Sequence, residues 1–303
     1  MQSLNSNYSK LPTNFKLVLE AVKKFYDRFV PSTIRERKNA GQAIQPDIVI
    51  ITTAVWGIIE GHPTQIATYR AARNHLFPTD FPSRSRYTRT CANLALAIKL
   101  IRYHFVKGLC NQPPLSAVDS CPVPLCKPIR NGRARVLGTI ANVGYNASKD
   151  IYFYGLKFHG TVSPNGFLLA YSVAAANVHD IHVIEELAGQ APTRVKVGDK
   201  GYLNGRLQER LNEERHVRLV ATPRRNMKRK LNELELALMR YRKKVETVFS
   251  SLSRLGLQNM QSRSAMGFES RLESILLAYS ILLERAHKIE PDTLKYSLGY
   301  FSS

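Results

Sequence analysis

Apolar residues recur at helical spacing through most of the first hundred positions. The first such segment begins at Thr13, a predicted N-cap. A second apolar segment opens at Pro46 and Asp47 and runs to Ile59, and Gly61 is the predicted end of that helix. The chain is therefore expected to open with helices.

Two more helices are predicted in this region. One starts at Pro63 or Thr64 and runs to about His75, and another starts at Ser83 or Ser85 and runs to Tyr103. A tight turn at 61–63 joins the second and third helices, which resemble a helix-turn-helix. The third helix carries the groups that we expect to face DNA: Gln65, Tyr69, Arg70 and Arg73. The alternative is a small helical bundle with solvated arginines.

The pattern changes to short, strand-like runs after the prolines at 113–114. Strands are predicted at 115–125, 151–162 and 167–175, followed by a helix at 181–187, a strand at 194–197, a helix at 203–214, a strand at 217–221 and long helices after Asn232. An opening meander followed by alternating helices and strands favours an α/β fold, a mixed sheet flanked by helices in RNase H-like order. The predicted domains are a helical DNA-binding domain at 1–112, an RNase H-like catalytic domain at 113–290 and a tail at 291–303.

The net charge indicates the partner. The chain has 44 Lys and Arg against 23 Asp and Glu, a formal charge of +21. Nucleic acid is the expected partner, because cations that neutralise phosphates release condensed counterions. A membrane is the less favoured partner, since the apolar runs are too short to span a bilayer. The N-terminus does not resemble a secretory signal, so a cytoplasmic protein is expected. The four cysteines show no paired C-x-x-C spacing, which indicates reduced structural thiols.

Two aspartates lie in or beside predicted strands. Asp119 interrupts the apolar run of the first strand and Asp199 follows the fourth, although aspartate is disfavoured in strands. The two strands are expected to lie side by side, so that both carboxylates could bind a shared Mg²⁺ or Mn²⁺ ion, which prefers oxygen ligands. Turn or cap roles are the alternative for each residue.

A third acid lies on a later predicted helix. Glu246 borders the apolar stripe of Val245, Val248, Phe249 and Leu252, where a carboxylate could point toward a metal at the sheet edge. The alternative is a surface pair with a residue four positions away. The joint placement of the three acids favours a site.

These three segments resemble the DDE transposases of bacterial insertion sequences, in particular insertion-sequence family nine-eight-two, over nearly the whole chain. The motifs that carry the resemblance are Val118-Asp119-Ser120, Gly198-Asp199-Lys200-Gly201-Tyr202 and Val245-Glu246-Thr247-Val248-Phe249. The segments Tyr154–His159 and Asn177–Asp180 also resemble the second strand and the opening of the first core helix of that family. The resemblance implies that Asp119, Asp199 and Glu246 are the catalytic metal ligands.

The resemblance also implies which basic residues contact DNA. Related enzymes carry an arginine four residues before the third acid, which matches Arg242, and a basic residue two turns after it. Ser253 stands near that second position with Arg254 beside it. The expected track of phosphate contacts consists of Arg242, Lys243, Arg254, Arg224, Arg225 and Lys228. A merely solvated basic face is the alternative.

The resemblance implies a nucleoid-associated bacterial transposase that uses Mg²⁺, or Mn²⁺ in its place, to hydrolyse and rejoin DNA. Its partners would be the terminal inverted repeats of the element and target DNA, and pairing two ends implies a homodimer. The alternatives are an RNase H-like nuclease or resolvase and a catalytically idle DNA-binding protein derived from a transposase.

Two other clusters have rival interpretations. His179, Asp180 and His182 could hold zinc or iron, although a cap of the following helix is the favoured role for Asp180, with support of the acid cluster a further one. Cys121 and Cys126 could be reactive thiols, although strand packing is favoured.

Overall fold

The computed structural model describes residues 11–110, 113–147, 149–223, 227 and 230–289. Its described residues form two compact units. The first contains 11–105 together with 261–289, and the second contains the described part of 106–260. Among the described residues, no helix combines the length and the apolar composition needed to span a bilayer.

The first unit is helical. Its α-helices are α1 (Thr13–Phe29), α2 (Ser32–Arg35), α3 (Asp47–Ile59), α4 (Gln65–Ala71), α5 (Arg84–Asn93), α6 (Ala95–Leu109, to residue 105 in this unit) and α11 (Ala265–Ile289). The predicted caps at Thr64 and Ser83 are confirmed, since their side chains accept backbone N–H groups of Ala67 and Arg86. Gly61, with φ of +76°, follows the end of α3 as predicted.

Two predictions in this unit are wrong. Pro12 is the N-cap of α1 and Thr13 is its first helical residue, so the Thr13 side chain does not cap the helix. The predicted fourth helix is two helices, because the chain breaks at Leu94, the C-cap of α5. Leu94 is fully buried, and apolar periodicity alone does not reveal such a break inside a core.

Helix α3 lies at the centre of the first unit. Every residue from Asp47 to Ile58 is buried, because α1, α4, α5 and α11 pack around it. A buried ion pair joins α11 to α6, with Arg102 Nε 2.6 Å from Glu273 Oε2. Helix α11 was predicted as part of the 113–290 domain, but the compact units place it with the N-terminal helices.

The second unit contains a six-stranded mixed sheet. Its strands are β1 (Leu115–Pro124), β2 (Asn142–Asn146), β3 (Ile151–Val162), β4 (Leu168–Ala175), β5 (Val195–Gly198) and β6 (Arg218–Ala221). The strand order is β2-β3-β1-β5-β6, and β4 also pairs with β3. The predicted meander of β1, β3 and β4 is therefore confirmed, and β2 is a strand that the sequence pattern did not predict.

Strand β1 is the axis of this sheet. It pairs antiparallel with β3 on one edge and parallel with β5 on the other, and β6 is parallel to β5. The predicted adjacency of the first and fourth strands is thus confirmed. The flanking helices are α7 (Ile184–Gln190), α8 (Gly205–Arg215), α9 (Glu233–Met239) and α10 (Arg242–Arg254). The predicted fold class, a mixed sheet flanked by helices and preceded by a helical region, is confirmed.

The close pairing of β1 and β3 depends on Gly155. A Cβ atom there would overlap the carbonyl oxygen of Val123 and lie 3.1 Å from the backbone of Pro124 and Leu125. We expect Gly155→Ala to lower the free energy of unfolding by about 2 kcal/mol or more, because backbone cannot move aside as a rotamer can. Gly205→Ala is the matched control, since nothing lies within 4 Å of its added methyl. Equal denaturation midpoints for the two variants would contradict this prediction.

Candidate acid site on the central strands

Asp119 lies in β1, directly opposite Gly160 of β3. A Cβ atom at Gly160 would lie 3.0 Å from the Phe249 ring of α10, so Asp119 is on the sheet face that α10 covers. Its Oδ1 accepts the backbone N–H of Ser120 at 2.8 Å. Burial, and the negative charges of Asp199 and Asp180, raise the pKa of the Asp119 carboxyl to about 6, although the Ser120 N–H and Arg242 act in the opposite direction.

Asp199 follows the last residue of β5, the strand parallel to β1. It is the N-cap of a short 3₁₀ turn at Lys200–Tyr202, and its Oδ1 accepts the Gly201 N–H at 2.7 Å. The cap role and the site role coexist, because a carboxylate has two oxygens and no hydrogen bond to Asp199 Oδ2 is present among the described residues. Adjacent parallel strands thus bring Asp119 and Asp199 together.

Asp180 is a third carboxylate at this place. Its Oδ1 accepts a hydrogen bond from Lys157 Nζ at 2.9 Å, and its Oδ2 accepts one from Ser120 Oγ at 3.1 Å. Lys157 also donates to the Val178 carbonyl at 2.7 Å, which fixes the amine between β3 and the segment before Asp180. The predicted helix-cap role of Asp180 is wrong, because Val183 is the N-cap of α7 and no side chain caps that helix.

A glycine leaves space among the carboxylates. A Cβ atom at Gly201 would lie 2.8 Å from Asp199 Oδ1 and 3.4 Å from Asp180 Oδ2. Both carboxylates therefore border the same point, and any larger residue would place its side chain between them. The motif Asp199-Lys200-Gly201 thus combines a carboxylate with a residue that has no side chain to displace it.

Two buried polar side chains line the same cluster without hydrogen-bond partners among the described residues. They are Tyr202, through its hydroxyl, and His159, through both ring nitrogens. Burial lowers the pKa of the His159 imidazole to about 4, with Asp180 opposing that shift, so the ring is neutral near pH 7. Both side chains are fully buried.

Glu246 is placed differently from the aspartates. The apolar stripe of α10 is buried as predicted, but the Glu246 side chain is 56% exposed, and its Oε1 accepts a hydrogen bond from Arg242 Nη2 at 2.8 Å. The predicted alternative, a pair between residues four positions apart, is therefore present. Arg242 also lowers the pKa of Asp119, so one guanidinium acts on both acids.

The donor set at the aspartates fits a hard divalent cation. The groups that converge are carboxylate oxygens, one carboxyl has a raised pKa, and Gly201 leaves space beside two of them. Within the described part of the chain, however, no group of three or more Asp, Glu, His or Cys side chains is arranged to hold a metal ion. Glu246 would have to exchange Arg242 for the cation to complete such a set.

The predicted DNA contacts lie in several places. Lys243 and Arg254 are exposed on α10. On α4, Arg70 is exposed, whereas Tyr69 packs against Phe81 and Tyr87, and Arg73, in the π-turn that follows α4, donates to the Phe81 carbonyl at 2.7 Å. Arg224, Arg225 and Lys228 lie outside the described residues.

The rival clusters do not converge. His179 and His182 are exposed, while Asp180 turns toward Lys157 and Ser120. Cys121 is buried in β1, which agrees with its predicted packing role.

Sequence reasoning missed Lys157, Ser120 and His159. The available signal was a lysine and a histidine inside the otherwise apolar run of β3, where charged groups are rare unless they are paired.

The raised pKa of Asp119 yields a stability prediction for the metal-free protein. The folded state favours the protonated carboxyl, so the wild type loses stability as pH rises from about 4 through 6 and does not regain it above 6. In EDTA at pH 8, the free energy of unfolding of Asp119→Asn should therefore exceed that of the wild type by up to about 3 kcal/mol, and the gain should be smaller at pH 4.5.

The control for that measurement is Asp27→Asn on the exposed side of α1. A gain from Asp119→Asn that is equal at both pH values would show that the Asp119 carboxylate carries no electrostatic penalty.

The geometry of the site agrees with a comparison to known protein families. Residues 109–264, slightly more than half of the chain, match the family model described as a transposase DDE domain. The matched segment spans all six strands and the helices α7 to α10. No curated protein and no solved structure matches the chain significantly. Because the family model covers the sheet, both strand aspartates and α10, the chain belongs to the transposase DDE-domain family.

Proposed function

We propose that this chain is the transposase of an insertion sequence, of the kind represented by insertion-sequence family nine-eight-two. It binds the ends of the element, hydrolyses a phosphodiester bond there and transfers the freed strand to target DNA. The observation that carries the proposal is the placement of Asp119 in β1 and of Asp199 directly after the parallel strand β5, with Asp180 and the close approach of two carboxylates to Gly201 beside them.

Asp119 and Asp199 would hold Mg²⁺, or Mn²⁺ in its place, through the carboxylate oxygens that accept no hydrogen bond among the described residues. When bound, a two-ion centre activates the attacking oxygen and stabilises the leaving oxygen at phosphorus. The chain's own contribution is to place these carboxylates on rigid strands and to surround them with the buried rings of Tyr202 and His159.

Glu246 is the proposed third acid, and Arg242 is the residue that controls its access. In the metal-free chain the Arg242 guanidinium neutralises Glu246 and also acts on Asp119. A cation bound by the aspartates would repel this guanidinium and free the Glu246 carboxylate one helical turn away. Arg242 would then be available for a DNA phosphate, the role that we propose for it.

The ion pair of Asp180 and Lys157 lies beside the proposed metal ligands and has a supporting role in this proposal. Lys157 holds one oxygen of Asp180 and the Ser120 hydroxyl holds the other, so Asp180 is oriented before any cation binds. Asp180 thus supports the acid pair as a positioning residue, because orientation of ligand carboxylates by their neighbours tunes metal affinity. Lys157 offsets the excess negative charge until a cation does so.

DNA is the proposed partner. The formal charge of +21 supports this, as do the exposed Lys243 and Arg254 on the helix that carries Glu246. We propose that the N-terminal helical domain, 1–112, recognises the terminal repeats with exposed groups such as Arg70, that residues 113–290 carry the chemistry, and that two copies pair the two ends.

The three proposed acids, Asp119, Asp199 and Glu246, are tested by Mn²⁺- or Mg²⁺-dependent cutting and joining of a labelled element-end duplex. Asp119→Asn, Asp199→Asn and Glu246→Gln should each reduce both reactions by at least about a thousandfold, because each removes a metal ligand, while DNA binding in EDTA persists. Glu213→Gln on α8 is the matched control. Mn²⁺ binding measured by calorimetry gives a readout that does not depend on turnover.

The outcomes separate the alternatives. Cutting without joining by the wild type would favour a nuclease or resolvase. Full activity of Glu246→Gln together with loss of activity in Asp180→Asn would replace Glu246 by Asp180 as the third acid. DNA binding without any cutting would favour an idle DNA-binding protein.

Lys157→Met tests the supporting role of the Lys157–Asp180 ion pair. The substitution leaves the partly buried Asp180 carboxylate without the Lys157 ammonium group, so we expect the protein in EDTA to lose about 1 to 3 kcal/mol of stability. Mn²⁺ should then raise the unfolding temperature of this variant by more than it raises that of the wild type, because the cation replaces the lost charge. Lys200→Met, at the exposed neighbour of Asp199, is the control. Equal Mn²⁺ shifts in all three proteins would refute the compensating role of Lys157.

A further inference from the structure

An exposed aromatic and basic surface lies on the hairpin of β2 and β3 and on the segment before it. We define this hairpin surface by Tyr145, Tyr152, Arg130, Arg133 and Lys149. The side chains of Tyr145 and Tyr152 are 48% and 65% exposed, and their rings lie 5.0 Å apart across the β2–β3 pair. Two neighbouring exposed aromatic rings are unusual on a surface that contacts only water.

One face of this hairpin is packed and the other is open. Gly144 lies on the packed face, where a Cβ atom would overlap the carbonyl group of Ala176. Tyr145 alternates with Gly144 and pairs with Tyr152, so both rings point to the opposite face. The exposure of the rings is therefore built into the register of the hairpin rather than produced by a loose loop.

The basic residues are held beside the rings by Asn131. Its side-chain amide donates to the Tyr152 carbonyl at 2.9 Å and its carbonyl oxygen accepts the Tyr154 N–H at 3.0 Å. Asn131 thus occupies the edge of β3 beyond the end of β1. Because Arg130 and Arg133 belong to the same 3₁₀ segment as Asn131, both residues lie beside the strand that carries Tyr152.

The charge of this region identifies the partner. Residues 127–152 contain Lys127, Arg130, Arg133, Arg135 and Lys149, all exposed, against one acid, Asp150, whose carboxylate accepts the Tyr145 hydroxyl. The same surface of a second copy would bring like charges together, whereas a polyanion would be attracted. Aromatic rings among cations are the groups that contact the sugars, bases and phosphates of DNA.

The hairpin surface lies on the sheet face of the acid site. Tyr152 and Gly160 are eight residues apart in β3, so they alternate onto the same face, and Gly160 is opposite Asp119. Their separation is about 25 Å at roughly 3.3 Å per residue. Phe249 of α10 covers the part of β3 around Gly160, so a duplex that contacts both places would pass outside α10. At about 3.4 Å per base pair, it would span about seven base pairs between Tyr152 and the reacting phosphate.

We propose that the hairpin surface binds the same DNA duplex that the acid site cuts, at about seven base pairs from the cut, with Arg130 and Arg133 on phosphates and Tyr152 on the sugar or base edge. This inference rests on the proposed function and extends it with a second contact on the catalytic face. The hairpin surface holds the substrate in line and takes no part in the bond-breaking chemistry.

The test uses the full chain and a fluorescent 40-base-pair duplex of arbitrary sequence in EDTA, with affinity measured over a range of salt concentrations. The double variant Arg130→Gln/Arg133→Gln should reduce the slope of log Kd against log salt by about 2, one phosphate contact per arginine. Tyr152→Ala should weaken binding about tenfold with the slope unchanged, and Tyr152→Phe should bind like the wild type. The control, Arg206→Gln/Arg215→Gln on α8, makes the same charge change on an exposed helix that also carries Glu209, Glu213 and Glu214.

Each outcome supports or overturns one specific proposal. A slope reduced equally by the α8 control would show that only net charge matters, and an unchanged slope in the hairpin variant would exclude the phosphate contacts; either result overturns the inference while the acid site stands. Loss of self-association instead of DNA binding in Tyr152→Ala would make the surface a protein interface, which also overturns it. If the wild type binds no duplex at low salt, the proposed function itself fails.

On a duplex that the wild type nicks, a photo-crosslinking benzoylphenylalanine at position 152 should react about five to nine base pairs from the nick, and reaction beside the nick would refute the placement.

Discussion

Repulsion among carboxylates at the junction of β1 and β5 is the constraint on which this structure depends. Asp119 and Asp199 are brought together by strand pairing, and Asp180 joins them from the segment before α7. In a partly buried site such charges cannot coexist without compensation. The chain supplies Lys157 on one side and Arg242 on the other. Two basic side chains therefore balance the carboxylates, Lys157 through an ion pair with Asp180 and Arg242 through its charge near Asp119.

The parts of this arrangement that follow from local pattern could be predicted. The apolar run around Asp119, the short strand before Asp199 and the buried stripe of α10 each show in the sequence, and the order of helices and strands placed β1 beside β5. The link between Lys157 and Asp180 could not be predicted, because it depends on the register of β3 and on a turn 23 residues later. The pairing of Glu246 with Arg242 was only one of two options, since helix periodicity fixes a residue's side of the helix but not its rotamer.

The packing of helix α11 is a second feature that could not be predicted from local sequence pattern. It follows α10 in sequence, yet it packs with α3 and α5, and its Glu273 is buried against Arg102, 171 residues earlier. From the sequence of the helix alone, a glutamate among apolar residues would be interpreted as an unfavourable buried charge or as part of a functional site. The buried arginine that explains it is visible only when both ends of the chain are placed in one unit. Strand β2 was missed for a related reason, because its five residues are stabilised by pairing with β3 rather than by their own pattern.

The length of β3 has a consequence for how relatives of this chain can diverge. This one strand of 12 residues carries Tyr152, Lys157, His159 and the partner of Asp119 at fixed intervals. Adding or deleting a single residue inside it would turn half of these side chains to the wrong face of the sheet. The end of the connection between β1 and β2, residues 137–141, lies outside that spacing and beyond the Asn131 contacts with β3. Insertions and deletions during descent should therefore accumulate between 137 and 141 and be absent from β3.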